Sequence, residues 1–293
     1  MSCPPWLPGQ TRINGTELHI SAQEFAKIAA EARLEGQITK RNAVRDWSHL
    51  WPLGVVYYDI DARTADFQLL QMLAPAFEFF KKYTCIRWRR RLPTNYAVQD
   101  YVIFSMPRAG TRLCNSEVGR QTGRQYIYLD AECVKSLAEV LHQMTHALGF
   151  YHMNNRLDRD KYITVFPQNA APQNRKFFDK SPANVADSLG FPYEHKSLMH
   201  FDGFKFATGS KPTIVSKVPG VLLGNKIALT VQDVTMINTL YAQCKNVDEC
   251  LEQNGGCDHV CTKHGAWFEC SCKDGYSLAS DGYSCEGQCL ITF

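Results

Sequence analysis

The sequence has no run near the roughly 18 consecutive apolar residues of a membrane span, which argues against a transmembrane helix. It has no large excess of one charge either. A formal net charge of +3 over 293 residues is too weakly basic for nucleic acid to be the main partner. The first twenty residues, MSCPPWLPGQTRINGTELHI, lack the apolar core of a secretion signal. No internal repeat and no low-complexity tract interrupts the chain. What remains is a globular composition, 45% hydrophobic and 21% charged, enough for one sizeable core and a small extra module.

Cysteine, by contrast, is plentiful. Twelve residues imply an oxidising compartment, against the missing signal. The cysteines carry more weight, so the chain reads as secreted or extracellular, with a start placed too late or a fragment trimmed from a longer protein. The sequon Asn14-Gly15-Thr16 fits secretion. The one dense basic cluster, Arg87-Trp88-Arg89-Arg90-Arg91, reads as a strand with Ile86 and Trp88 inward and the arginines in solvent. A polyanion patch is the alternative.

Composition divides the chain into pieces. Residues 1–41 look like a pro-segment: Ser21-Ala22-Gln23-Glu24 signals a helix start, FAKIAAEARLEG follows to Gly36, and Lys40-Arg41 suits processing. Residues 42–245 alternate strand-like and helix-like runs, among them VVYYDID, FQLLQMLAPAFEFFKKY, YVIFS and QYIYLD. Residues 246–286 hold six cysteines, too dense for an ordinary core. Residues 287–293 form a tail in which Cys289 has no evident partner.

Residues 134–150 read as a buried amphipathic helix, with Leu137, Val140, Leu141, Met144 and Leu148 at helical intervals. His142 and His146 stand four apart, so both imidazoles leave one face and can share one ion. Gly149 is free to take the left-handed conformation that ends the helix, and the turn could return His152 as a third ligand. Three histidines with an open fourth position make a catalytic zinc arrangement.

The stretch LHQMTHALGFYHM resembles the zinc motif of the astacin family of metalloendopeptidases. The similarity extends to Arg156-Leu157-Asp158-Arg159-Asp160, to Ser197-Leu198-Met199-His200 as a Met-turn centred on Met199, and to Arg41-Asn42-Ala43-Val44 as a maturation junction. It implies an α+β, two-lobed metzincin fold with one zinc ion on His142, His146 and His152. It also implies disulfides Cys85–Cys244 and Cys114–Cys133, and a cleft for an extended protein or peptide ligand along an edge strand near residues 116–119.

Three departures from the family pattern fall on its chemistry. Gln143 replaces the glutamate that acts as general base, and an amide cannot accept a proton from water. Phe201 replaces the tyrosine that donates a hydrogen bond to the tetrahedral intermediate. Met153 replaces the glutamate that pairs with the new amino terminus. Family propeptides commonly cap the zinc with an aspartate, and residues 1–41 contain none. Cys3 reads as a spare cysteine, with a thiolate cap on the metal as the alternative.

The final six module cysteines resemble an EGF-like domain, which implies Cys250–Cys261, Cys257–Cys270 and Cys272–Cys285. The lead-in Asn246-Val247-Asp248-Glu249 resembles the calcium-binding subtype, with Asn246, Val247 and Glu249 as its ligands. Lys263, where that subtype has Asn or Asp, would repel the ion. The expected protein is an extracellular metallopeptidase homologue that keeps zinc, is catalytically impaired and binds protein or peptide ligands. A working endopeptidase and a purely structural module are the alternatives.

Overall fold

The computed structural model describes residues 43–44, 46–91, 98–108, 110–182, 186–242, 244, 250, 253–264, 267–279 and 282–287. Residues 1–41, the calcium candidates Asn246, Val247 and Glu249, and Cys3 and Cys289 lie outside them.

The alternating apolar runs form a five-stranded sheet of β2 (Val55–Ile60), β3 (Arg87–Arg90), β4 (Tyr101–Ser105), β5 (Cys114–Ser116) and β6 (Arg124–Leu129). Its order is β3-β2-β4-β6-β5. All pairings are parallel except that of β5, which runs antiparallel to β6 at the edge. Helix α1 (Phe67–Tyr83) begins where the Asp66 carboxylate accepts from the Leu69 N–H, and it continues through Pro75. It lays Phe77 and Phe80 against Tyr58, Trp88 and Phe104, with ring centroids 4.6–6.1 Å apart. This aromatic layer joins the sheet to the helices in one continuous core.

Helix α2 spans Leu137–Ala147, shorter at both ends than the periodicity suggests. Ser136 caps it by accepting from the Glu139 N–H, while the Asp130 carboxylate holds the Glu132 and Cys133 N–H groups in a preceding turn. At the other end Gly149 has φ +101°, and a Cβ there would lie 2.7 Å from Val44 Cγ2. Only glycine can both turn the chain and admit Val44. Val44 belongs to β1 (Ala43–Val44), which pairs with β8 (Ala186–Asp187) and donates from its N–H to the Gly149 carbonyl.

The chain beyond α2 has fewer regular elements. It contains a two-stranded antiparallel sheet of β7 (Ile163–Val165) with β9 (Ile214–Ser216), and helix α3 (Val231–Leu240). The Arg156–Asp158 motif is a buried bidentate ion pair of 3.0 and 3.2 Å, and the Arg156 Nη1 also donates to the Phe191 and Pro192 carbonyls. Among the described residues there are five disulfides: Cys85–Cys244, Cys114–Cys133, Cys250–Cys261, Cys257–Cys270 and Cys272–Cys285. The C-terminal module adds hairpins β10–β11 (Val260–His264, Trp267–Ser271) and β12–β13 (Tyr276–Leu278, Cys285–Gly287) around a small core of Cys257, Phe268, Cys270 and Tyr283.

One expectation is overturned by this module. Ile86 and Trp88 do point inward, but Arg87 and Arg89 are buried rather than solvated. Their guanidinium groups lie over the Phe268 ring at 5.9 and 5.7 Å, and that of Arg89 also faces Tyr283 at 5.8 Å. Arg87 Nη1 satisfies itself on the Thr84 and Ile86 carbonyls. Period-two alternation correctly assigned these arginines to the second face of β3. It could not show that another part of the chain covers that face with aromatic rings.

Candidate metal centre

Helix α2 delivers His142 and His146 from one face, and the Gly149 turn returns His152. The His152 Nε2 lies 3.2 Å from that of His142 and 3.1 Å from that of His146. A tetrahedral ion about 2.0–2.1 Å from each nitrogen requires nearly that separation. The His142 Nδ1 faces the Leu198 carbonyl at 3.0 Å and the His146 Nδ1 faces that of Phe150 at 2.7 Å. Each Nδ1 therefore carries the proton and donates it, which leaves the Nε2 lone pairs converging on one point. These are the residues that would hold zinc.

Electrostatics agree. Burial, opposed in part by the hydrogen bond to Leu198, lowers His142 from 6.5 to about 4. Burial and the neighbouring His142 lower His146 to about 3, and burial with both neighbours takes His152 well below 6.5. All three are neutral at pH 7, the form that ligates a metal. The unfolded chain takes up protons below about pH 6.5 that the folded site refuses, so stability declines as pH falls from there toward 4. Thermal unfolding of the metal-free protein from pH 7.5 to 4.5 should show that decline, with a smaller slope for His152→Asn. A flat profile would contradict it.

Gln143 is buried on the same helix and lines the cleft; its Oε1 makes no hydrogen bond to the protein. An unsatisfied buried acceptor beside three convergent imidazoles suits a site that takes an ion and its water. Phe201 packs on His152 with centroids 4.3 Å apart and is fixed edge-on by Phe178 and Phe206. Its ring offers no polar atom to the cleft.

Met199 is buried and its carbonyl accepts from the Met153 N–H at 2.7 Å. The turn that carries it is held by a residue the sequence reading missed. Asp233, in the first turn of α3, accepts from Ser197 Oγ at 2.6 Å, the Leu198 N–H at 2.9 Å and the Thr230 N–H at 3.0 Å. Thr230 and Asp233 form a capping box, a signal visible in the sequence as T-x-x-D. Asn154 was missed too; its Oδ1 accepts from the Phe201 N–H at 3.1 Å. Buried Tyr193 meets His200 Nε2 at 2.7 Å.

A cleft of ≈ 1830 Å³ runs past the triad, between β5 and the loops around residues 200–226. Cys114, Asn115 and Ser116 line it as the edge strand. The strand is shorter than expected toward Gly119, whose N–H turns inward to the His146 carbonyl. Ala43 is fully buried against Phe150, and Met153 is fully buried as well.

A sheet whose edge strand borders a cleft over a three-histidine centre defines the zinc-peptidase class of architecture. The family model described as Astacin, a peptidase family, matches residues 43–242, and the chain belongs to that family. A second model, Coagulation Factor Xa inhibitory site, matches residues 250–285. Zinc metalloproteinase nas-14 of Caenorhabditis elegans is 33% identical over 195 residues, 67% of this chain and 37% of that protein. Embryonic protein UVS.2 of Xenopus laevis is 32% identical over 232 residues, 76% of this chain and 42% of that protein. This chain thus spans less than half the length of either relative. High choriolytic enzyme 1, a hatching enzyme zinc-protease from Oryzias latipes, superposes with a TM-score of 0.61 at 28% identity, over 69% of this chain and 99% of that one.

Proposed function

We propose that this chain is a secreted astacin-like metallopeptidase homologue that holds one zinc ion on His142, His146 and His152, is catalytically impaired, and acts by binding extracellular protein or peptide ligands in its cleft. The observation that carries the reading is Gln143, a neutral amide buried beside the triad. Zinc, when bound in such a site, supplies a Lewis acid for a carbonyl oxygen. The chain's own residues supply the rest. Edge strand β5 offers main-chain groups to an extended ligand. Gln143 can orient a water by hydrogen bonding but has no basicity with which to take its proton. Phe201 closes the wall behind His152 and donates nothing to a developing oxyanion.

The module at 246–286 is read as EGF-like, stapled by its three disulfides because so small a unit buries little core. Residues 1–41 are read as a pro-segment. Calcium at Asn246, Val247 and Glu249 is the weaker part of this reading, since Lys263 brings a cation to that module.

The second reading is an active zinc endopeptidase, favoured by the intact triad and by relatives named as zinc metalloproteinases. Digestion of a peptide library with the purified, zinc-loaded chain separates the two. The expected result is saturable peptide binding with chelator-sensitive turnover at least several hundredfold below that of an active family member such as the hatching enzyme. Turnover at that enzyme's ordinary rate would overturn the proposal.

A further inference from the structure

Residues 203–232 contain no aspartate or glutamate and four lysines, Lys205, Lys211, Lys217 and Lys226. The same stretch carries five of the twelve large apolar residues exposed among the described ones: Phe204, Val215, Val218, Leu222 and Ile227. Leu222 is 78% exposed and Ile227 72%. Exposed apolar side chains scattered singly mean little, but such a cluster rimmed by one sign of charge marks an interaction surface.

The surface is held firmly. The Val221 N–H donates to the Val218 carbonyl across a turn in which Gly220 takes φ +74°, so Pro219 and Gly220 stand at its tip and the exposed Val218 at its base. Strand β9 fixes one end of the loop. At the other end the Gly224 N–H donates to the His195 carbonyl and Asn225 Nδ2 to that of Lys196. The Asn225 Oδ1 accepts from the Ile227 and Ala228 N–H groups.

We propose that this loop seats on an anionic lipid surface, with Val218, Leu222 and Ile227 entering the headgroup region and Lys211 and Lys217 pairing with lipid charges. The placement of the apolar groups favours lipid over a peptide in the cleft. Val215, Val221 and Leu222 line the cleft wall, yet Val218 and Ile227 lie outside it, where a cleft ligand would leave them in water. A lipid surface is not confined to the cleft. Two acidic groups nearby are already paired: Asp160 with Lys180 and Arg159, and Asp202 with Lys226 at 3.7 Å. Lys217 donates to the Asp160 main-chain carbonyl rather than to a carboxylate. Docking in this way would hold the cleft mouth against the membrane surface.

The test is co-sedimentation of the full chain with phosphatidylcholine vesicles that contain or lack phosphatidylserine; it requires neither zinc nor proteolysis. Binding is expected only with phosphatidylserine and should weaken as salt rises. Leu222→Asp with Ile227→Asp should reduce it at least tenfold. Lys211→Glu with Lys217→Glu should reduce it at least 20-fold, since each lysine near such a surface is worth about fivefold. All four positions are exposed, and unchanged thermal unfolding serves as the control for folding. No binding by the unaltered chain, binding undiminished in both double variants, or loss of apolar-peptide binding in place of vesicle binding would overturn the proposal.

Discussion

Replacing Gln143 by glutamate and Phe201 by tyrosine together raises chelator-sensitive peptide hydrolysis by several hundredfold or more. General acid–base catalysis contributes about 10²–10⁴-fold, and one oxyanion donor about 10²–10³-fold. The two gains do not simply multiply, because groups that act on one transition state act as a unit. Geometry supports recovery. Gln143 sits on the rigid cap-to-glycine helix that fixes His142 and His146, so a nearly isosteric glutamate inherits its position. The Phe201 backbone is held by Asn154, and its ring already lies against His152. Glutamate alone should recover most of the gain in kcat, since the base is required at the first step. Tyrosine alone should recover little. Steady-state kinetics on the three variants, each with zinc content measured, check this. A doubly restored site that binds zinc and stays inert would mean that the cleft has lost more than these two groups.

How far the sequence disclosed these features depended on whether their causes were local. Period and spacing were local for His142, His146 and Gly149, and the helix, the turn and the convergence of the imidazoles lie where those residues implied. Ser136 caps the helix and so starts it later than the reading of 134–150 placed it. The burial of Arg87 and Arg89 was not local at all. It depends on Phe268 and Tyr283, nearly 200 residues later, and no pattern within β3 announces them. Asp233 was half legible, since the capping box with Thr230 is visible while its bonds to Ser197 and Leu198 are tertiary.

That tertiary role sets the second large effect. Asp233→Ala is expected to lower stability by about 3 kcal/mol and weaken zinc binding by 10-fold or more. The side chain is buried, burial raises its pKa, and the three donors that converge on it oppose that rise. Removing the carboxylate strands the Leu198 and Thr230 N–H groups and the Ser197 hydroxyl in the interior, at about 1 kcal/mol or more each. Leu198 also presents its carbonyl to His142 Nδ1, so loosening that turn frees the imidazole to rotate away from the point on which the lone pairs converge. Asp233 is therefore a positioning residue, and a zinc competition titration distinguishes that role from mere stability. Asp233→Asn, which keeps one acceptor oxygen, should fall between the alanine variant and the unaltered chain in both measurements. If Asp233→Ala unfolds more easily yet holds zinc with undiminished affinity at a temperature where it is fully folded, then α3 only supports the fold, and the orientation of His142 has another source.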